Sequence, residues 1–270
     1  MAHRRLRSIV CLTCYLLYLL LVLGAPQRLI IWPLVTLLPS RRRAILRRWL
    51  QFHARATVRL IRGVGNVRVS VQGAVAPESC IVLMNHQSIL DIPLAIFLVP
   101  GPYPLIPTAA RYARGIPGIS PLMRLAGMPL LSRGRVATRR ELRALRAAAD
   151  RVARGEHSFL IFPEGHRSHD GRLLPFRTPG LRFVLRRARR PVYCAVVDGI
   201  AHTRTVAAAA LRIADTTARV VILGPFAPPA DGDLDAFIES LRDRMAATLA
   251  ELRATAPVDA PAGADFAVAR

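Results

Sequence analysis

The segment of residues 80–91 decides the fold, and it reads Cys80-Ile81-Val82-Leu83-Met84-Asn85-His86-Gln87-Ser88-Ile89-Leu90-Asp91. Its first five residues form a short apolar run, which is typical of a strand buried on both faces of a sheet. The polar residues that follow should then lie at an edge of the sheet, where open α/β folds keep their chemistry. We therefore predict an α/β domain with a mixed sheet flanked by helices and a functional site next to this strand.

Two residues in this segment, His86 and Asp91, are candidates for catalysis. On a continuous helix, residues five positions apart would lie about 140° apart around the axis, so the pair can meet only if His86 precedes the helix. Ser88 as an N-cap and Pro93 in the first helical turn favour that arrangement. The two residues would then form a general base and the carboxylate that orients it. The simpler alternative is a turn histidine capped by a nearby carboxylate.

A second motif, Phe162-Pro163-Glu164-Gly165-His166-Arg167-Ser168, follows another strand-like run, Ser158 to Phe162. The Pro-Glu-Gly turn would let a backbone approach a ligand closely at Gly165. Arg167 and, further on, Arg177 have fork-shaped donors that suit a phosphate group. A surface turn without a function could have the same composition, so the motif alone leaves both interpretations open.

Together the two motifs resemble those of the glycerolipid acyltransferases, which carry a His-x-x-x-x-Asp motif and, later, Phe-Pro-Glu-Gly-Thr-Arg-Ser. Between them, the residues from Ile116 to Gly127 and the triplet Leu131-Ser132-Arg133 match the family's Ile-Pro, Arg-Leu-x-Gly and closing-Arg spacing. A weaker fourth match is the apolar segment from Pro191 to Gly199. The resemblance covers Val67 to Gly199, with the motifs in the family's order.

This resemblance implies an enzyme that moves a fatty acyl group from an acyl thioester to the free hydroxyl of a lysophospholipid. The first candidate acceptor is 1-acyl-sn-glycerol-3-phosphate, which would give phosphatidic acid, and the donor would be acyl-CoA or acyl carrier protein. The family's motifs assign catalysis to His86 and Asp91. They assign acceptor binding to four further residues, which are Arg133, Glu164, Gly165 and Arg167. No metal and no cofactor besides the thioester co-substrate are expected.

The chain departs from the family pattern at two places that bear on the acceptor. His166 stands where the family usually has threonine, and Ala109-Ala110-Arg111-Tyr112-Ala113 replaces Ala-Lys-x-Glu-Leu, so that both the lysine and the glutamate are missing. Arg111 or Arg114 could replace the lysine as a phosphate contact, although arginine and lysine differ in geometry. A different acceptor, such as a lyso-ornithine-type lipid, is the alternative.

Two other classes of function compete with acyl transfer. A serine hydrolase could use Ser88 with His86, but it would need a nucleophile on a strained turn and a separate orienting acid. Ser88 lies only two residues from His86 and suits a helix cap better. A noncatalytic, membrane-bound lipid-binding protein would have no need for both His86 and Asp91.

The chain is strongly basic, with a formal net charge of +22, which predicts an anionic partner. Nucleic acid and anionic lipid both meet this requirement. Nucleic-acid binding would predict a recognisable binding motif with interleaved aromatic residues, whereas aromatic residues make up 6% and apolar residues 52% of the chain. We therefore expect membrane lipids, and no nucleic acid, as partners.

The N-terminus predicts the membrane contact. Residues Ile9 to Ala25 are uncharged and would span about 25 Å as a helix, slightly less than a bilayer. A second apolar stretch, Leu29 to Leu38, contains Pro33, and arginines flank the two stretches on both sides. Because arginines favour the cytoplasmic side, we expect a helical hairpin in the inner (cytoplasmic) membrane, with the catalytic domain facing the cytoplasm. A single span and a cleaved signal peptide are the alternatives.

The chain should divide into three parts. Residues 1–63 would form the membrane anchor, which ends in a basic amphipathic helix from Arg41 to Gly63. Residues 64–254 would form the catalytic domain, and residues 255–270, rich in alanine and proline, are expected to be disordered. The catalytic domain should contain further strands near 67–73, 192–197 and 219–223, and helices over 138–155 and 234–252.

Overall fold

The chain folds around two β-sheets. The computed structural model describes residues 2–132, 138–230 and 233–255. The strands are β1 (Arg68–Gln72), β2 (Ile81–Met84), β3 (Pro104–Leu105), β4 (Thr108–Ala109), β5 (Leu130–Leu131), β6 (Ser158–Ile161), β7 (Val192–Asp198) and β8 (Thr217–Phe226). The helices are α1 (Ala2–Tyr18), α2 (Trp32–Leu37), α3 (Arg42–Gly65), α4 (Asp91–Leu98), α5 (Ile119–Leu125), α6 (Arg139–Ala153), α7 (Thr178–Ala188), α8 (Val206–Arg212) and α9 (Leu234–Ala254).

The larger sheet has six strands in the order β1, β8, β7, β2, β6, β3, and β4 pairs with β5 in a small second sheet. Neighbours in the larger sheet are parallel, except for β7 and β8, which run antiparallel. The predicted α/β class with a mixed sheet flanked by helices is therefore confirmed. Each of the five strands predicted in the catalytic domain corresponds to an observed strand.

The helices that flank this sheet begin and end at sequence signals. Thr138 is the N-cap of α6 in a capping box with Glu141, and Gly155 follows its end with a φ of +74°, a conformation that favours glycine. The carboxylate of Asp233 accepts hydrogen bonds from the first turn of α9. The predicted helices over 138–155 and 234–252 are confirmed, whereas the predicted tail lies, apart from Thr255, outside the described residues.

The two central strands bring the sequence motifs together. All four residues of β2 and all seven of β7 are buried, as expected for strands covered on both faces. α9 packs on β7, α7 packs on α6 and α9, and α3 packs on α4. Because β2 and β6 are adjacent and parallel, the loops that follow them leave the sheet at the same edge.

The N-terminal helix, Ala2–Leu37, is continuous. It runs from α1 through two π-helical segments, Leu19–Gly24 and Gln27–Ile31, into α2. Pro26 lies between these segments, and a widened turn accommodates the hydrogen bond that proline cannot donate. By length and composition it is the one helix in the described ranges that could cross a membrane.

The predicted hairpin of the two apolar stretches is wrong, because one continuous helix contains both stretches up to Leu37 and forms a hairpin with α3 instead. No reversal occurs between Ala25 and Leu29, where the chain stays helical. The chain reverses after Leu38, which is non-helical (φ −120°, ψ 65°) because it precedes Pro39. A 3₁₀ turn, Pro39–Arg41, then leads into α3. The second arm is therefore the basic helix and not the second apolar stretch.

The N-terminal helix has an inward and an outward face. Inward, Tyr18 hydrogen-bonds His53 of α3, and the Trp49 indole donates to the side chain of Gln27 over 3.4 Å. Outward, the helix and the residue after it expose the apolar side chains Leu6, Ile9, Val10, Leu16, Leu17, Leu20, Leu21, Val22, Leu29, Ile30, Trp32, Leu34, Leu37 and Leu38. A large exposed apolar surface such as this is typical of a region that meets lipid or a partner.

Candidate active site

The loop between β2 and α4 brings His86 and Asp91 into contact. His86 lies in the turn after the strand, and Asp91 is the first residue of the helix. Asp91 Oδ2 lies 2.7 Å from His86 Nδ1. The arrangement that the sequence requires for a base and its orienting carboxylate is therefore present, since a hydrogen bond at Nδ1 directs Nε2 away from the carboxylate.

The same carboxylate also organises the turn. Asp91 Oδ2 accepts hydrogen bonds from the backbone N–H groups of Gln87 and Ser88, each over 2.7 Å. Asp91 is fully buried, and its Oδ1 has no hydrogen-bond partner in the described part of the chain. One oxygen thus fixes both the loop and the imidazole ring, so the turn-capping interpretation and the catalytic interpretation describe the same contact.

Ser88 does not cap α4 as predicted, because the helix begins only at Asp91 and its N-cap is Leu90. The Ser88 hydroxyl instead accepts from the Leu90 N–H over 3.1 Å and lies 2.7 Å from the hydroxyl of Thr203. Ser88 is fully buried. These contacts give the hydroxyl a structural role, which counts against its use as the nucleophile of a hydrolase.

The imidazole ring of His86 is packed on one face and open at its edge. It stacks on Phe162 with 4.1 Å between ring centroids and 23° between planes. The His86 side chain keeps 15% of its surface exposed. Among the hydrogen bonds of the described residues, none engages Nε2, so this atom is the one available to an incoming hydroxyl.

Glu164 joins the second motif to the backbone of the first. Its Oε1 accepts from the His86 N–H over 2.7 Å, and its Oε2 accepts from the Leu174 N–H over 2.9 Å. The Ser168 N–H donates to the His86 carbonyl over 2.8 Å. Both backbone groups of His86 are therefore held by the loop that carries Glu164.

The carboxyl group of Glu164 is 1% exposed. Burial raises the pKa of this carboxyl to about 7, although its hydrogen bonds from the His86 and Leu174 N–H groups act in the opposite direction. The charge of Asp91 raises the pKa further. A group with this pKa changes its protonation state close to neutral pH, next to the candidate base.

Two arginines, Arg167 in the second motif and Arg177 after it, lie on the loop that follows β6. Arg167 is half-buried and donates to the carbonyl of Arg204, and no ion pair between Arg167 and Glu164 occurs in the described residues. Gly165 has a φ of +74°, and a Cβ there would come within 2.8 Å of Arg177 Cδ. Arg177, an exposed residue, therefore lies across the glycine.

The middle motif, which we define as residues 109–133, is only partly described. Arg133 lies outside the described residues, so its predicted contact with the acceptor stays a prediction. Arg111, which could have replaced the missing lysine, donates to the Tyr112 hydroxyl over 2.7 Å and lies 4.6 Å above the Tyr112 ring. Its guanidinium is thus engaged with a neighbouring side chain.

Two supporting residues were missed by the sequence reasoning. The side chain of Asn85 donates to the Val197 carbonyl over 2.8 Å and accepts from the Val197 N–H over 2.7 Å, and so extends the pairing of β2 with β7 beyond the last strand residue. The Gln27 side chain donates to the Gly118 carbonyl over 3.1 Å, which ties the N-terminal helix to the middle motif. The polar character of both residues was visible, but their distant partners were not.

The described residues contain no group of three or more His, Cys, Asp or Glu side chains that could hold a metal ion. What the site does contain is an oriented imidazole with a free edge. Such a group can take a proton from a hydroxyl and return it to a leaving group. The fold and the site are thus those of an α/β protein with an imidazole that is oriented by a carboxylate and open at its edge.

Comparison with known proteins relates part of the chain to a family. Residues 66–198, slightly less than half of the chain, match the model of the Acyltransferase family. The resemblance found in the sequence motifs is confirmed, since the matched segment contains both the His86 and the Glu164 loops.

Two relatives extend the comparison. A 1-acyl-sn-glycerol-3-phosphate acyltransferase of Cocos nucifera is 26% identical over 148 residues, which are 54% of this chain and 46% of that protein. The aligned segment thus spans less than half of the relative's length. The crystal structure of PlsC, the 1-acyl-sn-glycerophosphate (LPA) acyltransferase of Thermotoga maritima, superposes with a TM-score of 0.71 at 21% identity and covers 94% of this chain and 100% of that one. The fold is therefore shared across nearly the whole chain.

Proposed function

We propose that this protein transfers a fatty acyl group from an acyl thioester to the free hydroxyl of a lysophospholipid, with 1-acyl-sn-glycerol-3-phosphate as the first candidate acceptor. The product would be phosphatidic acid. The observation that carries the proposal is the 2.7 Å contact between His86 Nδ1 and Asp91 Oδ2, in a segment that matches the model of the Acyltransferase family. The names of the two relatives support the choice of acceptor.

In the proposed reaction His86 acts as the general base. Nε2 takes the proton of the acceptor hydroxyl while the hydroxyl oxygen attacks the thioester carbonyl. As the tetrahedral intermediate collapses, the carbon–sulfur bond breaks and the thiolate leaves with the bonding electrons. The imidazolium returns the proton to the thiolate, so the products are an ester and a free thiol. Asp91 stabilises the charged ring during this cycle, and no cofactor beyond the thioester co-substrate is needed.

The proposed acceptor site would combine the second motif with Arg133, which lies outside the described residues. Arg167 and Arg133 would bind the acceptor phosphate, and Gly165 would let it approach the backbone. Glu164 would orient the glycerol or an arginine, in addition to holding the His86 backbone. Arg177, which lies across Gly165, is a further donor of suitable geometry.

A second acceptor class is favoured by one specific observation. The segment from Ala109 to Ala113 lacks the lysine of the family pattern, and Arg111 is engaged with Tyr112. An acceptor without a phosphate, such as a lyso-ornithine-type lipid, would not need that cation. Acylation of such a lipid is therefore the second candidate function.

The N-terminal hairpin supports a location on the cytoplasmic face of the inner membrane. Its outward leucines would lie among lipid chains, while the basic arm α3 would meet the headgroups. A lipid acceptor would then reach the site sideways from the membrane, and the thioester would arrive from water.

The experiment that tests the proposal supplies purified full-length protein in mixed micelles with a panel of lysolipids and a labelled acyl donor, either acyl-CoA or acyl carrier protein. We expect phosphatidic acid from 1-acyl-sn-glycerol-3-phosphate with at least one donor. Acylation of a phosphate-free lysolipid alone would select the second candidate. Release of free fatty acid without any acylated lipid would contradict acyl transfer.

A further inference from the structure

A second charged depression lies far from His86. It is an open groove of about 750 Å³ between the first turns of α3 and the loops that precede β3 and β6. Tyr103 comes directly before β3, and Glu156 lies two residues before β6, whereas His86 and Glu164 follow their strands. The groove therefore opens at the opposite edge of the sheet from the candidate active site. It is lined by Arg43, Ala44, Arg47, Pro102, Tyr103, Arg154, Gly155 and Glu156.

Positive charge exceeds negative charge in this groove. Its one carboxylate, Glu156, lies 2.7 Å from Arg154 Nε and 3.3 Å from Arg43 Nη1. The hydrogen bond from Arg154 lowers the pKa of Glu156, which keeps this carboxylate ionised. Arg47, one helical turn after Arg43, is exposed and has no ion pair in the described chain. Three arginines against one glutamate leave two positive charges for a ligand.

The groove lies beside the most exposed apolar side chains at the tip of the hairpin. Trp32 is 60% exposed, Leu37 75% and Leu38 40%, and Leu38 is only five residues from Arg43. Apolar side chains at such a tip favour lipid chains over water. Arginines directly behind them would then lie at the depth of the lipid phosphates, which they bind through charge-assisted hydrogen bonds.

We infer that this groove binds the phosphate-bearing headgroup of an anionic membrane phospholipid, at a site separate from the acceptor site. The groove and the acceptor site are separated by the length of the strands between them. β2 and β6 lie side by side, and each spans about 13 Å from one edge of the sheet to the other. A lysophospholipid carries its phosphate only a few bonds from its hydroxyl and cannot place one in the groove and the other at His86. The apolar tip selects a lipid over a free phosphate ion.

The test compares two double variants of the full-length protein by sedimentation with vesicles. Arg43→Ala/Arg47→Ala removes two groove arginines, and the control Arg55→Ala/Arg59→Ala removes two exposed arginines at the same spacing on the same helix. We expect the groove variant to bind mixed phosphatidylcholine–phosphatidylglycerol vesicles roughly ten- to thirtyfold more weakly than the wild type. The control should stay close to the wild type, and binding to pure phosphatidylcholine vesicles should be unchanged in both variants.

For a third variant we expect the opposite change, namely stronger binding to the mixed vesicles. Glu156→Gln removes the carboxylate of the groove and should strengthen binding to the mixed vesicles by about fivefold. Equal losses in the groove and control variants would mean a diffuse electrostatic attraction and would overturn the inference. If millimolar inorganic phosphate at constant ionic strength abolished the preference of the wild type for mixed over pure phosphatidylcholine vesicles, this would also overturn the inference, because the groove would then take a free ion.

Discussion

The two loops around His86 and the N-terminal hairpin hold their functional groups by different physical means. In the loops, buried polar atoms are fixed by short hydrogen bonds to backbone groups, as in the contacts of Asp91 and Glu164. In the hairpin, large apolar side chains are exposed along one helix, and no single one of them is tied to a particular partner by a hydrogen bond within the described residues. Removal of a single atom group should therefore have a large effect in the loops, whereas effects in the hairpin should accumulate over several residues.

The variant His86→Ala tests most directly whether a single change in the loops has a large effect. Loss of a positioned general base should lower turnover by roughly 10²- to 10⁴-fold, and Asp91→Asn should fall in the same range because the ring loses its charged partner. Initial rates with 1-acyl-sn-glycerol-3-phosphate and an acyl thioester measure the effect. Circular dichroism checks the fold, and near-normal turnover in a folded His86→Ala protein would rule out the proposed base.

The hairpin should respond only to combined changes. Leu21, Leu29 and Leu37 are 66%, 76% and 75% exposed, so replacing all three with glutamine leaves the core intact. Because each buried leucine contributes about 1.5–3 kcal/mol, the triple variant should bind phosphatidylcholine vesicles at least a hundredfold more weakly, with each single change contributing a part.

The control for the hairpin uses three exposed apolar residues elsewhere. Leu142, Val206 and Leu211 are 52%, 55% and 50% exposed, and their replacement with glutamine should leave vesicle binding unchanged. Equal losses in the two triple variants would show that membrane binding does not depend on the hairpin. High salt should not release the wild-type protein, because screening weakens only charged contacts.

Substitutions in the second motif should have a smaller effect than the preceding ones, and this effect should be on acceptor binding. Loss of a charge-assisted phosphate contact costs on the order of 1.5–3 kcal/mol, so Arg167→Ala should raise the KM for 1-acyl-sn-glycerol-3-phosphate roughly ten- to a hundredfold. The donor KM should change little. Arg172→Ala is the matched control, since Arg172 lies on the same loop with 81% of its side chain exposed. An unchanged acceptor KM in both Arg167→Ala and Arg133→Ala would favour a phosphate-free acceptor.

The smallest expected effect is a pH dependence of stability. The pKa of Glu164, about 7, lies above its ordinary value of 4.5, so the folded protein holds this proton more tightly than the unfolded chain. The resulting stability is fully present below about pH 4.5 and is lost as the pH rises through about 7, with a change of up to about 3 kcal/mol.

Denaturant unfolding between these two pH values measures the dependence. The variant Glu164→Gln cannot titrate at this position, so its free energy of unfolding should fall less steeply with pH than that of the wild type. Identical slopes for the two proteins would contradict the raised pKa, even if the variant is less stable throughout because one backbone N–H loses its acceptor.

The sequence predicted the parts of the fold that local patterns encode. The apolar run before Asn85 identified β2, and the helical spacing of apolar residues over 138–155 identified α6. The contact between His86 and Asp91 followed from a spacing that excludes a continuous helix. These features depend on neighbours within one or two turns of chain, where side-chain pattern and backbone preference act together.

Other features depend on partners that no local pattern specifies. Glu164 accepts from the N–H of His86, 78 residues earlier in the chain. The residues around a carboxylate do not specify which distant backbone group it will contact. The reversal of the hairpin was misplaced because it was assigned to the break between the two apolar stretches, Ile9 to Ala25 and Leu29 to Leu38. In the structure Pro33 lies in the first turn of α2, where a proline fits, and Pro39 stops the helix through its effect on Leu38.

The hydrogen bond from Gln27 to the Gly118 carbonyl gives the hairpin a role beyond attachment. Gly118 has a φ of +71°, and a Cβ there would lie 2.8 Å from the Leu19 carbonyl oxygen, so helix and middle motif touch without a gap. On a membrane, an anchor joined to the catalytic domain in this way would set a distance. The depth of the helix in the bilayer would fix the height of His86 above it, and with it how far a lipid would have to rise to reach the proposed base.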